Sequence, residues 1–416
     1  MSYLNNFPIE YTKPIKISFN LLDNLNIRFF EKDSGRWKKI FRFMTLVPPL
    51  VVHIITMTFY ASKIFKNELN ISELANIVPV YLICIQSLLR MAIMIYKKTD
   101  IESFINDLGV IWMTTDQNAQ RAEKKRRLVK QLKFWQTMYY WIDILGSCEY
   151  VLAPLVSTIL RIFVLKQNFT FALPVGCVYP YDATADWFIY LATYAFQVIN
   201  VLRYSWFYIG IEFMMLTLCA DLAIEFSILR DDLLQILPNS DNISELQSRS
   251  QTDSEDHNRI SIQDFIRRHQ KLISLADILD DVFNKIVFVH TVIVTITAGF
   301  FAFATTVGSG MVGKANNIVG SVAILATTYV VCYYGEMLKE ESSGIADAAY
   351  GSIWTKGDIR YKKIICFIIT RSQKPCCLTS LKRVPVTLNM FSKILSTTWS
   401  YFSLITTIYT SEEYSN

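Results

Sequence analysis

Four ionisable side chains stand inside long apolar runs of this chain: Asp143, Glu149, Arg203 and Glu212. Charge in hydrocarbon is costly and is as a rule partnered or in contact with water, so such residues mark either a working site or a membrane boundary. Glu149 and Arg203 have the signs to pair beneath a bound molecule, whereas Asp143 and Glu212 read as lying near or below an interface, because their runs are overlong. No catalytic constellation accompanies them. The histidines His53, His257, His269 and His290 are far apart, and none stands at metal-ligand spacing from a carboxylate or cysteine. A phosphate-binding glycine loop and a nucleophile motif are both missing, so the chain is expected to be no enzyme and to use no metal and no cofactor. What remains is a cavity and a pore. Near the C-terminus, Thr397, Tyr401, Leu404 and Ile408 fall on one helical face by their three- and four-residue steps. That stripe reads either as ordinary helix packing or as the wall of a conduit, in which branched aliphatics would block ions by dewetting.

The elements that must position these residues are membrane spans. The 416 residues are 52% hydrophobic and only 19% charged, with the apolar residues gathered into blocks about as long as the roughly twenty residues that cross a bilayer. Seven blocks emerge: Phe43–Ser62, Leu74–Tyr96, Phe134–Leu165, Trp187–Ala220, Ile286–Gly313, Ala315–Gly335 and Ile394–Ser411. All are expected to be helical, since lipid tolerates no unpaired backbone. The third and fourth are long enough to tilt or to continue past the bilayer. The eight cysteines are scattered and form no disulfide framework, and the polar start of the chain is no signal peptide.

Lys and Arg alternate between the connections. They crowd residues 1–42, 97–133 and 339–393, while the intervening connections hold only Lys63 and Lys66, then Lys166, then Lys314, and none follows Lys393. The positive-inside rule therefore places the N-terminus in the cytosol and the C-terminus outside, the reverse of a G-protein-coupled receptor. The sequons at Asn70 and Asn168 then fall outside the cell as glycosylation candidates, and the one at Asn242 inside. The basic run Lys124–Lys133 reads as a flank drawn to anionic lipid. Below the membrane, Ala220–Leu237 and Ile260–Lys285 carry apolar residues at helical spacing around a polar loop, and Gly344–Ile369 repeats the pattern. The expected organisation is a cytosolic segment at 1–42, four spans at 43–220 and cytosolic helical extensions at 221–285. Two spans follow at 286–335, then cytosolic anchor helices at 336–393 and a last span at 394–411.

The last third carries a specific pattern. It reads Tyr334-Gly335, Leu338, Glu341-Ser342, Ile345-Ala346, Ala349-Tyr350 and Trp354, then Arg371-Ser372-Gln373-Lys374-Pro375, Phe391, Ile394-Leu395 and Ser400-Tyr401-Phe402. In order and spacing this resembles the C-terminal third of insect odorant receptors. About eighty residues carry the motif, and the remainder matches in topology and length. The related gustatory receptors close their seventh span on a Thr-Tyr motif ending in Gln-Phe, a pair that Ser400–Tyr409 lacks, so they are the weaker resemblance.

The resemblance implies a plasma-membrane protein of sensory dendrites. It would be one subunit of a tetrameric, ligand-gated, non-selective cation channel, with the seventh span lining the pore. Because the connection between spans four and five is short, it implies a tuning subunit that joins a shared co-receptor, not the co-receptor itself. A small, mostly apolar volatile would bind in the outer half of spans two, three, four and six. Tyr81 and Ile85, then Gly146, Tyr150 and Ala153, then Tyr190, Tyr194 and Phe196, then Val322 and Leu325 are the candidate walls. Gly146, Tyr150 and Ala153 share one face, and Pro154 should loosen the helix beside them. Leu404 and Ile408 match the family's hydrophobic gate, with Thr407 as a nearby polar group. Tyr350, Trp354 and Phe367 read as packing in the anchor where subunits meet. The remaining partners would be membrane lipid and permeating cations, with no nucleic acid. A seven-span metabotropic receptor is the alternative, and it requires an external N-terminus.

Overall fold

The computed structural model describes residues 6–25, 27–30, 35–63, 71–115, 119–163, 173–236, 261–307 and 311–415. Asn70, Asn168 and Asn242 lie outside them. The ten α-helices among the described residues are α1 (Ile9–Asn24), α2 (Arg36–Ser62), α3 (Ile71–Tyr96), α4 (Lys98–Thr115), α5 (Ala119–Phe163), α6 (Trp187–Gln235), α7 (Ile262–Val307), α8 (Met311–Gly351), α9 (Ile359–Ser372) and α10 (Leu388–Ser415). A 3-10 turn, Trp354–Lys356, precedes α9. A two-stranded antiparallel ribbon, β1 (Thr379–Ser380) and β2 (Val384–Pro385), precedes α10.

Met44–Ser62, Ile77–Tyr96 and stretches of α6, α7 and α8 are apolar enough, over enough length, to cross a membrane. The other two runs expected to span lie on α5 and α10. They are less apolar because α5 carries Asp143, Glu149 and Arg161, and α10 is rich in Ser and Thr. The protein is an all-α, multi-pass membrane protein.

α6 is the axis of the molecule. Every residue from Phe207 to Leu229 is buried, and a helix apolar on all sides can be satisfied only by neighbours on all sides. Those neighbours are α1, α3, α5, α7 and α8. Towards Gln235 the helix turns ionic. Glu225 meets Lys125 at 3.0 Å and Arg268 at 2.8 Å, and Asp232 meets Arg121 at 2.7 Å and Arg268 at 2.8 Å. Lys125 is fully buried, 4.2 Å above the Trp112 ring, and donates to the Trp112 carbonyl. The basic run is thus partly a structural tie: Lys125 and Lys124, which reaches Asp231 at 2.6 Å, point into protein and not towards lipid. α1 closes the same block. Its Tyr11 hydroxyl donates to the Ile105 carbonyl at 2.6 Å, and its ring packs 5.4 Å from Trp112.

His269 sits in this block between Phe226 and Phe265, with ring centroids 6.4 and 5.8 Å away. Burial, with the nearby positive charge of Arg371, lowers its pKa to about 4. The unfolded chain therefore takes up this proton first. The stability involved is complete above the unfolded value of about 6.5 and is lost progressively as pH falls towards 4. The melting temperature in detergent is expected to fall as pH is lowered from about 7.5 to about 5, and His269→Phe should remove part of that slope.

The ribbon turns through Leu381 and Lys382, whose φ values of 49° and 57° are left-handed. Two such residues in succession match a tight hairpin, at a cost to residues with a Cβ. Side chains of α7 hold the turn: Asp280 accepts from the amide and hydroxyl of Thr379, both at 2.7 Å, and Asp281 meets Lys382 at 2.7 Å. Lys382 and Lys97 together pull the Asp281 carboxyl down to about 2.

Candidate functional site

Between α3, α5, α6 and α8 lies a cavity of about 760 Å³. α5 lines it with Tyr139, Ile142, Asp143, Gly146, Ser147 and Tyr150, a stripe at three- and four-residue steps. α6 contributes Val201, Tyr204, Ser205 and Tyr208. α3 contributes Ile77, Val80, Ile83 and Cys84. α8 contributes a small and polar edge that includes Asn317, Gly320, Ala323, Ile324 and Thr327. A segment before α6, Leu173–Cys177, folds in as a fifth wall. It is held there by Gln197, whose amide bridges the Val175 N–H at 3.0 Å and the Val175 carbonyl at 3.1 Å, while Val178 donates to the Thr56 carbonyl. Gly176 leaves room for the Tyr60 ring, which a Cβ there would approach to 2.7 Å and have to displace.

Of the ten pocket residues expected from sequence, Gly146 and Tyr150 line this cavity. Gly146 leaves open space, with nothing within 4 Å of where a Cβ would stand. The side chain of Ala153 is outside the described set. The others lie elsewhere. Tyr81 pairs with the Thr58 hydroxyl at 3.0 Å. Tyr190 and Tyr194 form a separate cluster with Val151, whose carbonyl accepts from Tyr194. Phe196 meets the His53 ring at 6.2 Å. Ile85 is off the cavity face of α3, Leu325 packs against the main core, and Val322 is 61% exposed on the outside of α8.

The described charges of the apolar runs are partnered by protein groups. Asp143 lines the cavity, where it accepts from Ser205 Oγ at 2.5 Å. Glu212 is fully buried and pairs at 2.7 Å with Arg90, which is also fully buried. Arg203 donates to the Thr45 carbonyl at 3.4 Å, and the Glu149 side chain lies outside the described set. Arg90 went unnoticed in sequence because it is one charge in the apolar run Leu74–Tyr96. Its guanidinium lies 4.7 Å over the ring of Tyr208, a cavity residue, so the ion pair lies next to the cavity. His290 completes the cluster. Gln86 Nε2 and His290 Nδ1 are 3.1 Å apart, and His290 Nε2 stands 3.2 Å from Thr328 Oγ1 and 4.0 Å from Glu212.

α10 buries one face and leaves the other bare. Phe402, Ile405 and Tyr409 pack on Ala75, Phe303 and Ala304, and Thr398 donates to the Thr295 carbonyl. Tyr401, Leu404 and Ile408 are 44%, 57% and 52% exposed on this single chain. Thr407 is exposed too, its hydroxyl donating to the Ser403 carbonyl one turn back. In the anchor region Tyr350 and Phe367 are exposed, whereas Trp354 packs against the core and donates to the Tyr350 carbonyl.

A multi-span helix bundle holding a tyrosine-walled cavity of this size defines a small-molecule receptor of the membrane. The family model described as 7tm Odorant receptor matches residues 70–399, and the chain belongs to that family. It is similar to putative odorant receptor 92a of Drosophila melanogaster, 22% identical over 73% of this chain and 72% of that one. Odorant receptor 13a of the same species is 26% identical over 73% and 72%. The odorant receptor coreceptor of Anopheles gambiae is 25% identical over 35% of this chain and 31% of its own length. Among solved structures, the olfactory receptor OR5 from Machilis hrabei superposes with a TM-score of 0.78, covering 95% of this chain and 98% of that chain. Its identity is 15%, so the likeness is one of fold. The same receptor in complex with eugenol gives a TM-score of 0.76.

Proposed function

We propose that this odorant receptor is a tuning subunit of a heterotetrameric, ligand-gated cation channel in the plasma membrane of sensory dendrites. A volatile held in the cavity opens a pore lined by α10, with Leu404 and Ile408 as its gate and Thr407 beside them. The observation that carries the reading is the face of α10 with Tyr401, Leu404 and Ile408, bare on a single chain while the opposite face is packed. Four such faces around an axis make a constriction that hydrated ions do not cross until it widens. The cavity supplies the other half, since a ligand opens a channel by binding the open state better than the closed one. The eugenol complex of the structural relative supports a bound volatile in this fold. The coreceptor likeness supports a shared assembly surface, to which the exposed Tyr350 and Phe367 belong. The N-terminus faces the cytosol, with Asn70 and Asn168 outside as glycan sites.

The test is cation current in cells expressing this chain with and without a co-receptor. Odorant-evoked current is expected only in the pair, and robust current from this chain alone would overturn the tuning-subunit assignment. Leu404→Ala and Ile408→Ala should each raise basal leak or alter permeation; if neither does, the gate lies elsewhere. Antibody access to tags at the two termini of intact cells separates this orientation from the metabotropic alternative.

A further inference from the structure

One wall of the cavity carries an acid. Asp143 and Ser147 stand one turn apart on α5, facing Ser205 of α6. Ser205 Oγ lies 2.5 Å from the carboxylate and 3.2 Å from Ser147 Oγ. Two cations of the surrounding helices are engaged elsewhere: Arg90 with Glu212, and Arg203 with the Thr45 carbonyl. Among the described residues, no basic side chain forms an ion pair with Asp143. One turn below, Tyr139 lines the same cavity at 3% exposure, and its hydroxyl has no hydrogen-bond partner among the described residues. The remaining walls include the rings of Tyr150, Tyr204 and Phe301.

We propose that the cavity is built for volatile amines, with the nitrogen on Asp143 and the apolar body among these rings. This rests on the cavity being the odorant site. A carboxylate in an apolar bundle needs a counter-charge and hydrogen-bond donors, and an ammonium group supplies both. The aromatic walls add cation–π attraction, which a purely apolar odorant does not use. An ether or ester of the same skeleton brings acceptors only, and leaves the acid and its hydroxyl partners facing apolar surface.

The probes are 2-phenylethylamine, 2-phenylethanol and methyl 2-phenylethyl ether, which share one skeleton. Binding is read by thermal shift of the purified chain in detergent, and gating by current in co-receptor-expressing cells. The wild-type chain is expected to bind the amine about tenfold or more tightly than the ether, with the alcohol between. Asp143→Asn should weaken the amine about tenfold and leave the ether nearly unchanged, while Asp143→Glu retains part of the preference. Equal binding of amine and ether, no amine binding, or an equal loss of all three probes in Asp143→Asn overturns the proposal. The wild-type ranking decides the matter even if that variant fails to fold. An amine preference in binding with no evoked current overturns the channel reading and leaves this assignment standing.

Discussion

Arg90→Met is expected to cost the folded bundle about 3–5 kcal/mol, because it strands the Glu212 carboxylate in the core with its counter-charge gone. Both side chains are fully buried at 2.7 Å, so the remaining charge is held away from bulk solvent. Glu212→Leu should cost a similar amount by stranding the guanidinium, although stacking on Tyr208 at 4.7 Å retains a fraction of its stabilisation. The double variant Arg90→Met/Glu212→Leu is expected to recover more than half of the sum of the single losses, since well-packed apolar replacements of a buried pair are often neutral. Thermal unfolding in detergent, with surface expression as a second readout, measures the cycle. Losses that simply add would mean the two residues act independently, contrary to the geometry. The pair has a second consequence. Tyr208 meets Arg90 and also lines the cavity, so the double variant should fold and yet respond to odorants with altered potency. This would separate the stabilising role of the pair from its contribution to the shape of the site.

What could be read in the sequence followed from how each element is encoded. Spans are legible because twenty apolar residues can do little else in water or lipid, and the long α6 and α7 show their continuation past the apolar runs through periodic apolar residues such as Phe265, Leu272 and Leu279. The family was legible from a motif that builds the contact between α8, the ribbon and α10. The pocket was much less so. Locating wall residues requires the rotation of each helix, and α6 is apolar on all sides, so its sequence contains no signal for which side faces the cavity. On α8, Val322 and Leu325 stand one or two positions from Gly320, Ala323 and Ile324, which do line the cavity; a rotation of that size is invisible without the neighbours. Tyr190 and Tyr194 precede the cavity-lining Tyr204 and Tyr208 by several turns. The segment Leu173–Cys177 had no periodicity to betray it. Its position depends on hydrogen bonds with Gln197, and the one hint in the sequence is that Gln197 is a polar residue in an apolar span. Arg90 teaches the complementary lesson: a lone charge in a long apolar run is easily averaged away, yet its burial requires a partner on another helix.

Gly335→Ala is expected to uncouple the terminal helix from the rest of the molecule. A Cβ on Gly335 would stand 2.4 Å from the Val386 carbonyl oxygen, closer than folded proteins permit, and the obstacle is backbone that no rotamer change can move. Val386 is held from its other side, since its amide donates to the Leu378 carbonyl at 2.8 Å. Two residues further on, the Leu388 amide that opens α10 donates to Glu336, the residue after the glycine, at 3.1 Å. Any displacement that relieves the added methyl must therefore shift the start of α10 relative to α8. Overpacking of this kind costs about 1–3 kcal/mol. The cost falls on the joint between the helix that lines the cavity and the helix proposed to line the pore, so evoked current should fall further than expression does. Gly351→Ala is the control: it ends the same helix with nothing within 4 Å of the added Cβ and should leave current and expression close to wild type. Whole-cell current normalised to surface protein distinguishes the outcomes. A Gly335→Ala channel with wild-type current per surface subunit would show that α10 tolerates the shift, and that ligand binding reaches the pore by a route other than this contact.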